Sequence, residues 1–278
     1  MAALVTTEWL ANELGASDLR VVDATYVDAS LGRDPAAEYE REHIPGAVFM
    51  NLGELRDTAS DLPMTLPSPE KFASRMQSLG LGDGSRIVLY DDSPWHSAAR
   101  AWWMLRFFGA HDVAILDGGL AKWKAEERAL ASGKEQPRHR HFTVWADSKG
   151  VRTLDQMKAV VASGSEQVVD ARSAARFTGE EPDPRPATYA GHMPGANNLP
   201  YTGLFNADGT YKTGDALRAA FEKAGIDLDR PIVTTCGSGV TASTLMICLH
   251  LLGRDAALYD GSWSEWGADQ STPKAMGA

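Results

Sequence analysis

The chain has 278 residues, of which 44% are hydrophobic, and its formal net charge at pH 7 is −10. This length can bury two sizeable cores, whereas the acidic balance argues against nucleic acid or an anionic membrane as partner, since both need a basic face. The sequence has no apolar run long enough for a membrane span and no secretion signal at its start. We therefore expect a globular protein of the cytoplasm.

The first half of the sequence alternates predicted strands and helices. The predicted strands are short β-branched or apolar runs: Leu19–Asp23, Arg86–Asp91 and Val113–Asp117. The predicted helices are a polar stretch that ends at Glu42, a segment 71–79 that begins after Ser68 and Pro69, an apolar segment 96–108 closed by Gly109, and a short segment 118–123.

Four landmarks of the first half return in the same order in the second half. The pairs are Val22-Asp23 with Val169-Asp170, His43-x-Pro-Gly-Ala47 with His192-x-Pro-Gly-Ala196, Ile87-Val88 with Ile232-Val233, and Asp117-Gly118 with Asp260-Gly261. Their offsets lie between 143 residues (117 to 260) and 149 residues (43 to 192), so a whole domain is duplicated. We predict an α/β fold of two tandem domains, each a mainly parallel sheet flanked by helices. The predicted domains are 1–135 and 151–278, with a linker at 136–150.

The strongest chemical signal lies in the stretch Pro231–Ala242. A β-branched segment leads into Cys236-Gly-Ser-Gly-Val-Thr241 and then into an apolar run, which predicts a strand, a tight loop and a helix. Glycines in such a loop can turn successive backbone N–H groups into one concavity beside a helix N-terminus. A thiol held there is expected to exist largely as thiolate, the nucleophilic form.

Two other interpretations of Cys236 remain open from the residues. The stretch 237–242 has the Gly-x-Gly-x-x-Ala spacing of a dinucleotide-binding fingerprint, with Asp260 as its acidic residue, although the 18 residues after Asp260 leave little room for further strand–helix units. Alternatively, Cys236 is a buried structural cysteine in a glycine turn. A Cys-x5-Arg phosphatase is disfavoured, because no arginine occurs between Cys236 and Arg254.

The duplication supplies an internal control for this loop. At an offset of 145 residues Asp91 stands where the second copy has Cys236, and no glycine loop follows it. The scaffold therefore does not itself require the cysteine, which favours a functional Cys236. The other cysteine, Cys248, falls in the apolar helical run and is predicted to be structural. We expect no disulfide, no metal site and no cofactor.

Taken together, the two His-x-Pro-Gly-Ala copies, the Cys236–Thr241 loop in the second copy alone and the stretch Asp260–Trp266 resemble the two-domain rhodanese superfamily of sulfurtransferases. Within it, the loop is most similar to the 3-mercaptopyruvate sulfurtransferase branch. The resemblance implies an inactive first domain, a catalytic second domain and a persulfide on Cys236. It also implies that the backbone of the loop holds the sulfur, through residues that include Gly237, Gly239 and Val240, while the hydroxyls of Ser238 and Thr241 contact the donor.

The resemblance assigns further residues around the loop. The donor-binding arginines of the family correspond to Arg176 and Arg185, for which the residues alone would favour a surface salt bridge with Glu180, Glu181 or Asp183. Some members are proposed to use a Ser-His-Asp relay. Here Ser238 matches the serine, but residues 47–72 contain no histidine, and Met64 and Gly53 stand near the positions of the other two. His43 and His192 are predicted to be structural.

The function that the resemblance implies is transfer of sulfane sulfur from 3-mercaptopyruvate, through the Cys236 persulfide, to a thiol, a thioredoxin-like dithiol or cyanide, with release of pyruvate. Two alternatives remain: a thiosulfate:cyanide sulfurtransferase, and a non-catalytic module that carries a persulfide for a partner. The physiological acceptor and the group that protonates the pyruvate enolate stay open. So does the oligomeric state, for which we expect a monomer.

Overall fold

The computed structural model describes residues 1–185 and 187–277, so Ala278, the last residue of the predicted second domain, lies outside the described residues. The chain forms two compact units. Unit 1 comprises Met1–Thr58, Leu66–Asp147 and Asn206–Tyr211, and unit 2 comprises Ala59–Thr65, Ser148–Phe205 and the residues from Lys212 onward. Each unit therefore includes one short segment from the other half of the sequence.

Unit 1 contains a five-stranded parallel sheet in the order β1-β5-β4-β2-β3. Its elements are β1 Leu4–Val5, α1 Thr7–Glu13, β2 Leu19–Asp23, α2 Pro35–Arg41, β3 Ala47–Phe49, α3 Pro69–Ser78, β4 Arg86–Tyr90, α4 Ala98–Phe107, β5 Val113–Leu116 and α5 Gly119–Ala125.

Unit 2 repeats this arrangement, with a parallel sheet in the order β6-β10-β9-β7-β8. Its elements are β6 Val151–Arg152, α6 Leu154–Ser163, β7 Gln167–Asp170, α7 Ala174–Thr178, β8 Asn197–Asn198, α8 Gly214–Lys223, β9 Ile232–Thr235, α9 Ala242–Leu251, β10 Ala257–Tyr259 and α10 Ser262–Trp266. The strand order is the same in the two units, which confirms the predicted α/β fold of two tandem parallel sheets.

Local sequence signals explain where several helices begin. Ser68 caps α3, since its hydroxyl accepts from the N–H of Lys71 at 3.3 Å and Pro69 occupies the first turn. Thr153 and Gln156 form a reciprocal capping box at the start of α6. The sequence does not predict the first two elements, β1 and α1. Both are short, and β1 has only two residues.

The two cores are built alike. In unit 1 the buried Leu10, Val21 and Trp123 belong to one hydrophobic cluster, and in unit 2 Trp263 and Trp266 belong to another. The indole N–H of Trp123 donates to the Ala129 carbonyl at 2.9 Å, and that of Trp266 donates to the Pro273 carbonyl at 2.8 Å. The repeated tryptophan therefore fixes the chain that follows the last helix in each unit.

The basic stretch at 138–141, inside the predicted linker, is exposed at its side chains but fixed along its backbone. The carbonyl of His141 accepts from the N–H of Asp83 at 2.9 Å. Gly82 permits this approach, because a Cβ at that position would lie 2.6 Å from the Cβ of Arg140. Residues 138–141 thus run along unit 1. None of the helices in the described part of the chain combines the length and hydropathy needed to cross a bilayer.

Candidate active site

Cys236 lies between the end of β9 and the start of α9, with 2% of its surface exposed. The loop folds back on the sulfur, because the backbone N–H of Gly239 donates to Cys236 Sγ at 3.1 Å. Gly239 has a φ of 82°, a conformation that glycine adopts without steric cost. The dinucleotide interpretation needs this glycine for the approach of a pyrophosphate. Here its N–H serves the sulfur instead.

The start of α10 holds the other side of the loop. The N–H of Trp263 donates to the Cys236 carbonyl at 2.9 Å, and the N–H of Ser264 donates to the Gly237 carbonyl at 3.0 Å. The Ser264 hydroxyl donates to the same Gly237 carbonyl. These bonds explain why the Asp260–Trp266 stretch accompanies the cysteine loop in this sequence. Nothing in the residue pattern alone indicated that contact.

Two guanidinium groups lie beside the residue that follows the cysteine. Arg176 belongs to the short helix α7, and Arg185 to the loop after it. A Cβ placed on Gly237 would lie 2.6 Å from Arg185 Nη2 and 3.3 Å from Arg176 Nη2. The fold therefore brings both predicted arginines to the Cys236 loop, and glycine at 237 leaves the space that they occupy.

A buried carboxylate orients the two arginines. Asp183, whose side chain is 1% exposed, accepts from Arg176 Nη2 at 2.7 Å and from Arg185 Nη1 at 3.0 Å. The salt bridge that the residues alone suggested is thus present, but it is largely buried and joins both arginines. Two guanidinium groups against one carboxylate leave a positive charge beside the loop, in a chain of net charge −10.

This positive charge is poorly solvated. Burial lowers the pKa of Arg185 below its usual value, an effect that Asp183 opposes and Arg176 reinforces. Within the described residues, Arg176 Nε is buried and has no hydrogen-bond partner. A buried donor without an acceptor is costly, so an anion bound here would gain from both guanidinium groups.

Tyr201 is a neighbour of the cysteine that sequence reasoning missed. It begins the short 3₁₀-helix Tyr201–Leu204 after β8 and is half-buried. Burial raises the pKa of Tyr201, and the charge of Cys236 raises it further. The phenol therefore stays protonated and can donate a hydrogen bond near the sulfur.

The remaining predicted residues of the loop differ in what they can contribute. Ser238 and Thr241 are half-buried, and Thr241 stands at the N-cap of α9 without its hydroxyl capping the helix. Both hydroxyls can therefore serve a bound molecule. The Val240 side chain is only 4% exposed, so this residue can act on a ligand only through its backbone.

The Ser-His-Asp relay proposed for some family members is not expected here, since Met64 and Gly53 stand near the positions of its histidine and aspartate. Met64 is 3% exposed and lies in the segment Ala59–Thr65, which the first half of the sequence contributes to unit 2. Its thioether does not transfer protons. His43 and His192 are buried, and each ring Nδ1 lies 2.8 Å from a backbone carbonyl, that of Tyr39 and of Phe177 respectively. Both imidazoles also stack on those aromatic rings, as expected of structural histidines.

The loop of unit 1 places a carboxylate where unit 2 has the thiol. The Asp91 carbonyl accepts from the N–H of Leu120 at 3.1 Å, as Cys236 does from Trp263. The Asp91 carboxylate accepts from the N–H groups of Ser93 at 3.0 Å and Ala98 at 2.6 Å. Unit 1 thus fills the anion-binding position of its loop with its own side chain.

Asp91 gives the protein a measurable pH dependence. Burial raises its pKa from 3.8 to about 7, although the two backbone donors oppose the shift. Between about pH 4 and 7 the folded state keeps a proton that the unfolded chain has lost, so this contribution to stability is complete below pH 4 and declines as the pH rises toward 7.

We expect Asp91→Asn, which stays neutral, to remove that decline in stability. Thermal unfolding from pH 4.5 to 7.5 measures it. Parallel profiles for wild type and variant would contradict it, and Asp229→Asn, at an exposed carboxylate, is the control.

The described residues contain no group of three or more His, Cys, Asp or Glu side chains arranged to hold a metal ion. Both cysteines are free. Cys248 lies in α9 with 0% exposure, and burial raises its pKa well above the usual value of a thiol. Cys236 is thus the cysteine with anion-stabilising groups around it.

Comparison with known proteins agrees with this geometry. Residues 6–126 and 153–269 each match the Rhodanese-like domain family. The chain is 40% identical over 271 residues to the 3-mercaptopyruvate sulfurtransferase of Homo sapiens, which covers 95% of this chain and 91% of that one. It is 37% identical over 272 residues to the thiosulfate sulfurtransferase of Cricetulus griseus, with the same two coverages.

A solved structure shares the whole architecture. The crystal structure of SseA, a 3-mercaptopyruvate sulfotransferase from Escherichia coli, is similar with a TM-score of 0.87 and 38% sequence identity. The match covers 95% of this chain and 100% of that one, and the family predicted from the sequence motifs is confirmed. The chain therefore belongs to the rhodanese family, as a two-domain sulfurtransferase with one rhodanese-like domain in each half.

Proposed function

We propose that the protein is a 3-mercaptopyruvate sulfurtransferase that works through a persulfide on Cys236. The observation that carries the proposal is the pair of guanidinium groups from Arg176 and Arg185 beside Gly237. A mercaptopyruvate molecule whose sulfur meets Cys236 has its carboxylate and keto oxygen a few bonds away. Two cationic donors oriented by the buried Asp183 are suited to those oxygens.

The reaction we propose has two steps. In the first, Cys236 Sγ attacks the donor sulfur, a new S–S bond forms, and the C–S bond breaks with its electron pair leaving on pyruvate as the enolate. The enolate then takes up a proton to give pyruvate. In the second step, an acceptor thiolate, a thioredoxin-like dithiol or cyanide attacks the outer sulfur, and Cys236 leaves as thiolate.

The chain's own groups would stabilise the charge in both steps. The Gly239 N–H already bonds the sulfur, and the other backbone N–H groups of the loop, which leads into α9, would stabilise a persulfide anion. Ser238, Thr241 and Tyr201 can donate to the bound donor. Because Met64 cannot transfer a proton, we propose that the enolate is protonated without a histidine relay, by solvent or by Tyr201.

We also propose that the protein works in the cytoplasm, with the acceptor left open among a thiol, a thioredoxin-like dithiol and cyanide. The sulfur transfer needs a reduced Cys236, and thiols are kept reduced in that compartment. Both cysteines are free, as this proposal requires.

Thiosulfate is the second candidate donor, and one observation favours it. Arg185 Nη2 approaches the residue next to Cys236, so cationic charge lies near the reacting sulfur even though Gly237 and Ser238 are neutral. Against it, thiosulfate is a compact dianion, and the Asp183 carboxylate lies against the same two guanidinium groups. The carboxylate of mercaptopyruvate lies farther from the sulfur and can meet the arginines without that crowding.

We expect kcat/KM for mercaptopyruvate to exceed that for thiosulfate by about tenfold to a hundredfold, the factor that one mismatched charged contact of about 1.5–3 kcal/mol produces. Steady-state assays of pyruvate release and of thiocyanate formation measure the two rates. Equal or better use of thiosulfate would transfer the assignment to the second candidate. Ser238→Lys should lower the ratio of kcat/KM for mercaptopyruvate to kcat/KM for thiosulfate. Gly237→Arg is unsuitable for this purpose, because its Cβ would lie 2.6 Å from Arg185 Nη2.

A further inference from the structure

The two units treat one equivalent aspartate differently. In unit 2, Asp170 at the end of β7 is 1% exposed and binds the guanidinium of Arg172, which donates to its carboxylate from Nε at 2.9 Å and from Nη2 at 2.6 Å. The same guanidinium donates to the Gly191 carbonyl at 2.8 Å and lies 4.5 Å from the ring centroid of Trp263. Asp170 is thus neutralised by a buried cation of its own unit.

In unit 1 the aspartate is kept and the cation is absent. Asp23 ends β2 at the equivalent position, is 3% exposed, and accepts from the N–H of Thr25 at 2.9 Å, as Asp170 accepts from the N–H of Arg172 at the same distance. The residue two positions on is threonine instead of arginine. Within the described residues, no cationic side chain forms an ion pair with Asp23.

A cavity of about 250 Å³ lies where the guanidinium would be. The four residues that build the guanidinium site of unit 2 have counterparts in unit 1, and all four counterparts line this cavity: Asp23 for Asp170, Thr25 for Arg172, Glu42 for Gly191 and Leu120 for Trp263. Replacing a large cation and an indole by Thr25 and Leu120 empties the space but leaves its carboxylate. We call this space the Asp23 cavity.

We propose that the Asp23 cavity binds a small cation with a guanidinium head group, which Asp23 receives as Asp170 receives Arg172. A buried carboxylate without a cation is unfavourable, because burial is compensated only when the charge is paired and hydrogen bonded. A planar guanidinium can meet a carboxylate with two parallel hydrogen bonds. Glu42 adds a second carboxylate where the unit 2 site has only the Gly191 carbonyl.

Two of the three cationic side chains around the cavity already have partners of their own. Arg33 Nη2 lies 2.6 Å from Glu38 and 2.9 Å from Asp92, and Lys124 Nζ lies 2.5 Å from Glu42. The lining carries four carboxylates and three cationic side chains, the third cation being the exposed Arg41. With all of these groups ionised, the lining carries one more negative than positive charge. Burial raises the pKa of Asp23 above its usual value, and a bound cation would favour its ionised form. The inference concerns unit 1 alone and does not depend on the sulfur-transfer chemistry.

Titration of the full-length protein with methylguanidine tests the proposal, with ligand-observed NMR as the readout and N-methylurea as a neutral probe of similar shape. We expect saturable binding of methylguanidine and none of N-methylurea. Asp23→Asn should weaken methylguanidine binding by about tenfold or more, since it removes the charged partner. Glu54→Gln, at an exposed carboxylate outside the cavity, should leave binding unchanged.

Thr25→Arg is the second variant, because it restores in unit 1 the arginine that unit 2 carries. We expect it to abolish methylguanidine binding by occupying the cavity, and to raise the melting temperature by pairing with Asp23. Binding of an arginine-containing tripeptide in the same titration would identify an arginine side chain as the source of the head group. Binding of methylguanidine alone would identify a free small guanidine. Failure of methylguanidine to saturate the wild-type protein, or equal binding by wild type and folded Asp23→Asn and Thr25→Arg, would overturn the proposal.

Discussion

Cys236→Ser is expected to reduce sulfur transfer by about a thousandfold or more, the scale of loss when a nucleophile is removed. A serine oxygen in the same loop can keep the hydrogen bond from the Gly239 N–H, but it cannot form a persulfide. The fold should be unchanged, because the loop is also held by the bonds from Trp263 and Ser264 to backbone carbonyls. Pyruvate release with mercaptopyruvate as donor measures the loss, and circular dichroism checks the fold.

Cys248→Ser is the matched control, since it makes the same chemical change in the same unit. Cys248 is fully buried in α9, so a polar hydroxyl there should cost about 1 kcal/mol or more of stability while activity is retained. The expected pattern is therefore crossed, with activity lost in one variant and stability lost in the other. Comparable losses of activity in two folded variants would contradict the assignment of Cys236.

Arg185→Lys and Arg176→Lys are each expected to lower kcat/KM for mercaptopyruvate by about tenfold or more. Lysine keeps the charge but loses the planar fork, and a charged hydrogen bond is worth about 1.5–3 kcal/mol. Arg185 should show the larger effect, because its Nη2 lies closer to the position of a Cβ on Gly237 than that of Arg176 does. The reaction of preformed persulfide with an acceptor thiol should barely change.

Single-turnover measurements separate the two half-reactions for these variants. Arg254→Lys is the control, because Arg254 pairs with Asp229 on the surface of the same unit at 2.6 Å, and we expect no change in either half-reaction. If Arg185→Lys slows the acceptor step as much as the donor step, the arginine supports the loop and does not bind the donor.

The repeat is what made the fold predictable from one sequence. Each copy carries the same strand and turn landmarks, and the two sheets have the same strand order, so the α/β architecture follows from alternating β-branched and helical segments. The short exchanged segments, such as Asn206–Tyr211 in unit 1, were not predictable. Their placement depends on tertiary packing and leaves no periodic pattern in the residues.

The candidate site was predictable where the backbone dictates the residue type. The N–H of Gly239 reaches the sulfur because this residue adopts a positive φ. In the sequence, glycines directly after a predicted strand indicate a loop of this kind. Asp183 and Tyr201 were not found as contributors, because their roles depend on side chains that meet only in the folded chain. Asp183 appeared in the sequence as a competitor for the arginines, whereas the structure makes it the carboxylate that orients them.

The most direct test of the account is the mass of the protein after one turnover without acceptor. We expect incubation with 3-mercaptopyruvate to add about 32 Da, the mass of one sulfur atom, with one pyruvate released per protein, and a reductant to remove the added mass. Peptide mapping should place the sulfur on Cys236 and leave Cys248 unmodified. Release of pyruvate without the added mass, or the added mass on Cys248, would contradict a persulfide at Cys236.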